Sequence, residues 1–208
     1  DARQLWGQNT AVTEELIRQE NGNPRLKVAC IGPAGERLAK IAAVINDRGR
    51  AAARSGLGAV MGSKNLKAVA ATGNLKPELV DRPKIQALMR QMMKEAKENP
   101  SGMFYGLTHG GSAGAMVAHL HDADVPIKNW SGNNVEDLPE SQWDSVALPA
   151  ILPYLTKKYA CTACPIGCGG HVTVEDGTYP VRDAHKPEYE TLAAFGTMCL
   201  NTDMKSLI

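Results

Sequence analysis

Three of the chain's five cysteines, Cys161, Cys164 and Cys168, fall in the stretch YACTACPIGCGGH (159–171), which ends in His171. In this C-x2-C-x3-C spacing the thiolates can converge on one centre within a tight loop, with Gly167, Gly169 and Gly170 letting the backbone fold close. Two fillings satisfy the pattern. Zinc takes four ligands, and His171 would complete a set of three cysteines and one histidine. An iron-sulfur cluster takes a fourth thiolate, and Pro165 suits the short, turn-rich loops that hold such clusters. Cys30 and Cys199 sit in apolar stretches, where a free thiol serves as a small hydrophobe, and neither is obliged to be the fourth ligand.

A second group lies in DRGRAAARSGLGAVMGSKNLKAV (47–69). Its glycines invite comparison with a phosphate loop, but Gly62-Ser63-Lys64-Asn65 misplaces the lysine and lacks the hydroxyl that should follow it, which excludes a nucleoside triphosphatase of the Walker type. Arg50 and Arg54 are four residues apart and would share one side of a helical turn, with glycines behind them freeing backbone N–H groups for an anion. That arrangement fits a phosphorylated or pterin-like cofactor. It also fits a solvated basic face before a tight turn.

The third candidate is HKPEYETLAAFG (185–196), where Pro187 suits the first turn of a helix and Glu188 and Glu190 lie near its positive end. Such carboxylates commonly serve the helix alone; the functional reading aims one of them into a cavity, where burial suits it to general acid or base work. Because they are two apart, only one can face inward. His109, His119 and His121 lack the i, i+4 spacing of a helical metal pair and read as surface or core histidines.

The elements that must position these groups follow from periodicity. Helical spacing runs over 10–20, with Thr13 as an N-cap and Asn21-Gly22 as a stop. LKVACIG (26–32) and KAVAATG (67–73) read as strands, and PAGERLAKIAAVINDRG (33–49) as a helix carrying Leu38, Ile41, Ala42 and Ile45 and closed by Gly49. An α/β part therefore fills about the first 75 residues. NLKPELVDRP (74–83) marks a boundary, placing one domain at 1–78 and a mainly α-helical one at 79–208. In the latter, Ile85, Leu88, Met89, Met92 and Met93 form an apolar stripe expected to fill a core, and GGSAGAMVAHLHDAD (110–124) and EYETLAAFGTMCL (188–200) read as further helices.

Composition narrows the functional classes. With 23 basic and 22 acidic residues interspersed, there is no broad electrostatic case for nucleic acid or an anionic membrane. No apolar run approaches the roughly 20 residues that span a bilayer, and an odd, clustered set of cysteines suits a reduced compartment, so a cytoplasmic protein is expected. Both ends of the sequence read as interrupted helices, which suggests a piece of a longer, multidomain chain.

Taken together, RGRAAARSGLGAVMGSKNLKAV, YGLTHGGSAGAMVAHLHDADVPIKNW, YACTACPIGCG and PEYETLAAFGTMC, in that order, resemble the tungsten-containing aldehyde ferredoxin oxidoreductase family over nearly the whole chain. The resemblance implies that 1–78 is the C-terminal part of the first, pterin-binding α/β domain and 79–208 the N-terminal part of the helical domain with the cluster loop. The family's R-A-x-G-R pterin motif falls on Arg50, Ala51, Ala53 and Arg54, with Ala53 in place of the glycine. Its cluster cysteines match Cys161, Cys164 and Cys168, and its glutamate beside the metal matches Glu190. The implied cofactors are a tungsten or molybdenum bis-pterin and a 4Fe-4S cluster. The implied partners are a small aldehyde substrate, ferredoxin or another electron-transfer protein, and a second copy in a homo-oligomer. The fourth cluster cysteine, a D-x-x-G-L-C motif and a catalytic histidine are expected after Ile208. Two alternatives stay open: a tungsten subunit like that of benzoyl-coenzyme A reductase, with Cys199 as a metal ligand, and a non-catalytic, zinc-stabilised binding module.

Overall fold

The computed structural model describes every residue except Arg48, Lys76 and Pro77. Part of the basic stretch and part of the proline-marked boundary expected from sequence therefore lie outside the described residues. The chain divides into two compact units, Asp1–Glu78 and Leu79–Ile208.

The first unit is an antiparallel sheet with helices, α1 (Thr10–Glu20), β1 (Lys27–Cys30), α2 (Pro33–Glu36), β2 (Val44–Asn46), β3 (Arg50–Ala52), α3 (Leu57–Ser63) and β4 (Ala68–Ala71), with strand order β3-β2-β1-β4. Both strands expected from the apolar runs are present. They pair with each other, Val28 opposite Ala70. Helix α1 also stands where its periodicity puts it, but its cap is Asn9, whose side chain accepts from Val12 N at 2.9 Å, while Thr13 is buried. Asn9 wins because it holds the extended backbone a cap requires, whereas Thr13 is already inside the helix and donates its hydroxyl back to Asn9 O.

The long helix expected over 33–49 is not formed. Helix α2 ends at Glu36, Leu38 adopts a left-handed φ of 61°, Ile41 is 89% exposed, and Val44–Asn46 enters the sheet with Ile45 opposite Cys30. The β-branched pair Val44-Ile45 finds a strand partner, and that tertiary pairing overrides the helical spacing. Helices α2 and α3 meet through glycine. A Cβ on Gly35 would lie 2.9 Å from Gly58 O, and one on Gly62 would overlap the Gly35 carbonyl.

The second unit contains α4 (Arg82–Glu98), α5 (Met103–Gly110), α6 (Met116–His121), α7 (Leu148–Ile151), β5 (Leu155–Tyr159), β6 (Gly169–Val174), β7 (Val181–His185), α8 (Tyr189–Thr191) and α9 (Met204–Leu207). It is mainly helical but carries a three-stranded antiparallel sheet, β5-β6-β7, that the sequence reading lacked. Its core gathers Met116, Leu120, Ile151, Val172 and Leu192. Helix α4 contributes only Ala96 as a buried residue, so its methionines do not fill this unit's core as expected. Helix α8 passes directly into a π turn, Leu192–Gly196, and then a 3-10 turn, Thr197–Cys199. There Thr197 Oγ1 donates to Pro126 O at 2.7 Å. Among the described residues no helix is long and apolar enough to cross a membrane.

Candidate functional site

In the first unit, Arg50 opens β3 and Arg54 opens the 3-10 turn Arg54–Gly56. The two arginines are therefore not on one helical turn, and the expected shared helix face does not exist. They flank a side-chain-poor sheet edge instead. Strand β3 pairs with β2 (Val44 opposite Ala52) and lies at the end of the strand order, and Ala51, Ala52 and Ala53 are exposed. Ser55 and Gly56 follow with left-handed φ of 68° and 67°.

The glycines behind the arginines do other work than expected. Gly58 N donates to Ala42 O at 2.9 Å, so its N–H is not offered to an anion, and a Cβ on Gly56 would sit 2.5 Å from Lys40 O, so Gly56 lets backbones pack. What is left to face a ligand is the outer edge of β3, bracketed along the chain by Arg50 and Arg54. Backbone donors, small side chains and fixed positive charge fit a flat, anionic cofactor such as a phosphorylated pterin.

In the second unit the cysteines occupy the connection between β5 and β6. All three are free thiols, Cys161 exposed and Cys164 and Cys168 half-buried. The loop begins with a tight turn in which Cys164 N donates to Cys161 O at 3.0 Å, and Ala163 and Gly167 adopt left-handed φ of 59° and 63°. Gly169 and Gly170 end it in close packing: a Cβ on Gly169 would lie 2.5 Å from the Tyr159 ring, and one on Gly170 2.7 Å from Leu155. The donor chemistry, three free thiols on one short loop, fits a thiolate-bound metal group. The set is not closed, because among the described residues no group of three or more His, Cys, Asp and Glu side chains is gathered tightly enough to hold a metal ion.

His171 does not complete it. The side chain stands on β6 with Nδ1 2.8 Å from Asp183 Oδ1, and its ring packs edge-on against Tyr159 and His185 at 4.9 and 5.5 Å. The strand's alternation sends Val172 and Val174 to the core and His171 to the other face. His109 stacks on Tyr105, and His119 meets Asp124 at 3.0 Å, so both are engaged locally. Cys30 is a packed small residue, whereas Cys199 is exposed, contrary to its apolar surroundings in sequence, with Sγ 3.4 Å from Ala194 O.

The two glutamates separate as their spacing requires. Glu190 is exposed in this unit. Glu188 turns inward as the N-cap residue of α8, accepting from Lys186 Nζ at 2.7 Å and from Ser112 N and Oγ at 2.9 and 2.8 Å. Lys186 also donates its backbone N–H to Gly170 O at 2.7 Å. Sequence reasoning missed this node. Ser112 lies 76 residues from Glu188, and no local spacing marks Lys186 as buried.

The chain matches the family model of the aldehyde ferredoxin oxidoreductase N-terminal domain over residues 1–73 and that of its domains 2 and 3 over 87–208. It is 36% identical to the tungsten-containing aldehyde ferredoxin oxidoreductase of Pyrococcus furiosus, across 100% of this chain and 33% of the relative's length. The enzyme of the same description from Thermococcus kodakarensis gives 36% identity over the same shares. Among solved structures, the active-site complex BamBC of benzoyl coenzyme A reductase superposes with a TM-score of 0.71 at 25% identity, covering 100% of this chain and 32% of the other. The chain thus spans about a third of the length of the curated relatives it matches. With both family models matched in order and identity sustained from end to end, the chain belongs to the aldehyde ferredoxin oxidoreductase family.

Proposed function

We propose that this chain is part of a tungsten-pterin oxidoreductase that converts aldehydes to carboxylic acids and passes the electrons to ferredoxin or a similar carrier. Residues 1–78 contribute to pterin binding, and 79–208 carry the cluster loop. The observation that carries the reading is the free-thiol loop Cys161, Cys164 and Cys168 in the segment matching domains 2 and 3. Arg50 and Arg54 bind the cofactor's anionic groups, and Ala51 and Ala53 leave the β3 edge open to its flat face. When bound, the tungsten-pterin supplies two-electron oxidation and the 4Fe-4S cluster single-electron transfer. The Glu190 carboxylate orients water and takes its proton as the oxygen attacks the aldehyde carbon.

Metal analysis of the full-length protein, purified without oxygen, tests this: tungsten and about four irons per chain are expected. Iron without tungsten or molybdenum, or zinc alone, overturns the reading. The similarity to the benzoyl coenzyme A reductase complex and the exposed Cys199 support a second reading, reduction of an aromatic thioester. Dye-linked oxidation of simple aldehydes, with no activity on aromatic thioesters, excludes it.

A further inference from the structure

An ion pair with a buried lysine and a half-buried glutamate lies beside the exit of the cysteine loop. The Lys186 side chain is only 4% exposed, and its Nζ donates to Glu188 Oε1 at 2.7 Å and to the carbonyls of Gly110 and Pro187 at 3.2 and 3.3 Å. Glu188 Oε2 is held in turn by Ser112, whose hydroxyl accepts from Tyr189 N at 3.0 Å. The lysine ammonium only donates, and these three acceptors hold it in place.

The third cysteine of the loop meets this pair through Gly111. A Cβ on Gly111 would lie 2.7 Å from Glu188 Oε2, 2.9 Å from the Cys168 carbonyl oxygen and 2.9 Å from Lys186 Nζ. Three groups from two segments, 186–188 and the cysteine loop, thus converge on one point that only glycine leaves free, and Gly111 has the matching φ of 66°. Two residues on, Lys186 N ties down Gly170 O. The exit of the loop, Cys168 to Gly170, is therefore held by the Lys186 backbone at Gly170 and packed at Cys168 against the glycine that the Lys186–Glu188 pair also meets.

We propose that Lys186 and Glu188 are positioning residues for Cys168, and that their opposed charges set the reduction potential of the thiolate-bound iron group the loop carries. The inference rests on the cluster reading above. A group that gains negative charge on reduction is stabilised in its reduced form by a nearby buried cation and destabilised by a buried anion, and low polarity magnifies both effects. Removing either partner changes the charge of the node in opposite senses.

The test is a redox titration of the full-length protein, followed by the electron paramagnetic resonance of the reduced cluster, with iron content measured alongside. Lys186→Met is expected to shift the potential downward, Glu188→Gln upward, and the double variant to return towards wild type; Lys186→Arg, which keeps the charge, should restore the wild-type value. Loss of packing alone cannot produce shifts of opposite sign. Equal potentials in all iron-loaded variants, or single variants shifted in the same direction, overturn the inference and leave the functional reading intact. If Lys186→Met does not accumulate, Glu188→Gln decides alone: an upward shift supports the inference and an unchanged potential overturns it. An iron-free wild-type protein overturns the functional reading, and this one with it.

Discussion

Cys30 shows how burial alone sets a chemical property. Its thiol is fully enclosed in the core of the first unit, and burial, aided by the Glu14 carboxylate, pushes its pKa up from 9.0 to about 11. The folded state therefore keeps a proton that the unfolded chain releases above about pH 9, so the thiol's contribution to stability falls as pH rises from about 9 and levels off beyond about 11. Urea midpoints measured from about pH 8 to about pH 10 should decline more steeply for the wild type than for Cys30→Ala. Equal slopes would mean the thiol ionises alike in both states. Sequence placed Cys30 correctly as a packed residue because apolar neighbours along a strand predict burial. It misplaced Cys199, which ends the 3-10 turn after the buried Leu192 and Ala193 and stands exposed beside the exposed Leu200.

At the scale of elements, the crossing of α2 and α3 depends on glycine at Gly35 and Gly62, while Gly58 lets α3 approach the Ala42-Ala43 backbone. Gly62→Ala should cost about 1–3 kcal/mol, as overpacking does, because a rigid backbone oxygen blocks the added methyl group. Gly73→Ala, with nothing within 4 Å of its Cβ position, should leave stability nearly unchanged. Denaturant unfolding of the two variants checks the contrast. The strands β1 and β4 and the helices α1 and α4 were legible because each is a self-contained periodic run. The segment 33–49 was not. Its helical spacing is genuine, but β2 forms through pairing with β1, and no local pattern announces a partner that lies elsewhere in the chain. The sheet β5-β6-β7 escaped for the same reason: LTKKY, GGHVTV and VRDAH are short runs that become strands only beside one another.

Across the whole molecule, the candidate site was readable as residue types and hidden as geometry. Cys161, Cys164 and Cys168 declared themselves by spacing, and Arg50 and Arg54 by their place in an ordered set of motifs. The Lys186–Glu188 pair did not, since its meaning depends on Gly111 and Ser112, far away in sequence. The edge strand β3 has a further consequence. An unpaired strand edge built from exposed alanines is a template for another chain's backbone, and protein surfaces commonly guard such edges with charge. Arg50 and Arg54 stand at the two ends of Ala51–Ala53 as those guards. In the 208-residue chain, Arg50→Ala combined with Arg54→Ala should raise light scattering at concentrations where the wild type stays dispersed. Unchanged scattering would leave the arginines with no part in solubility. Raised scattering would mean that the two residues proposed to hold a cofactor also keep the protein from adhering to itself until that cofactor arrives.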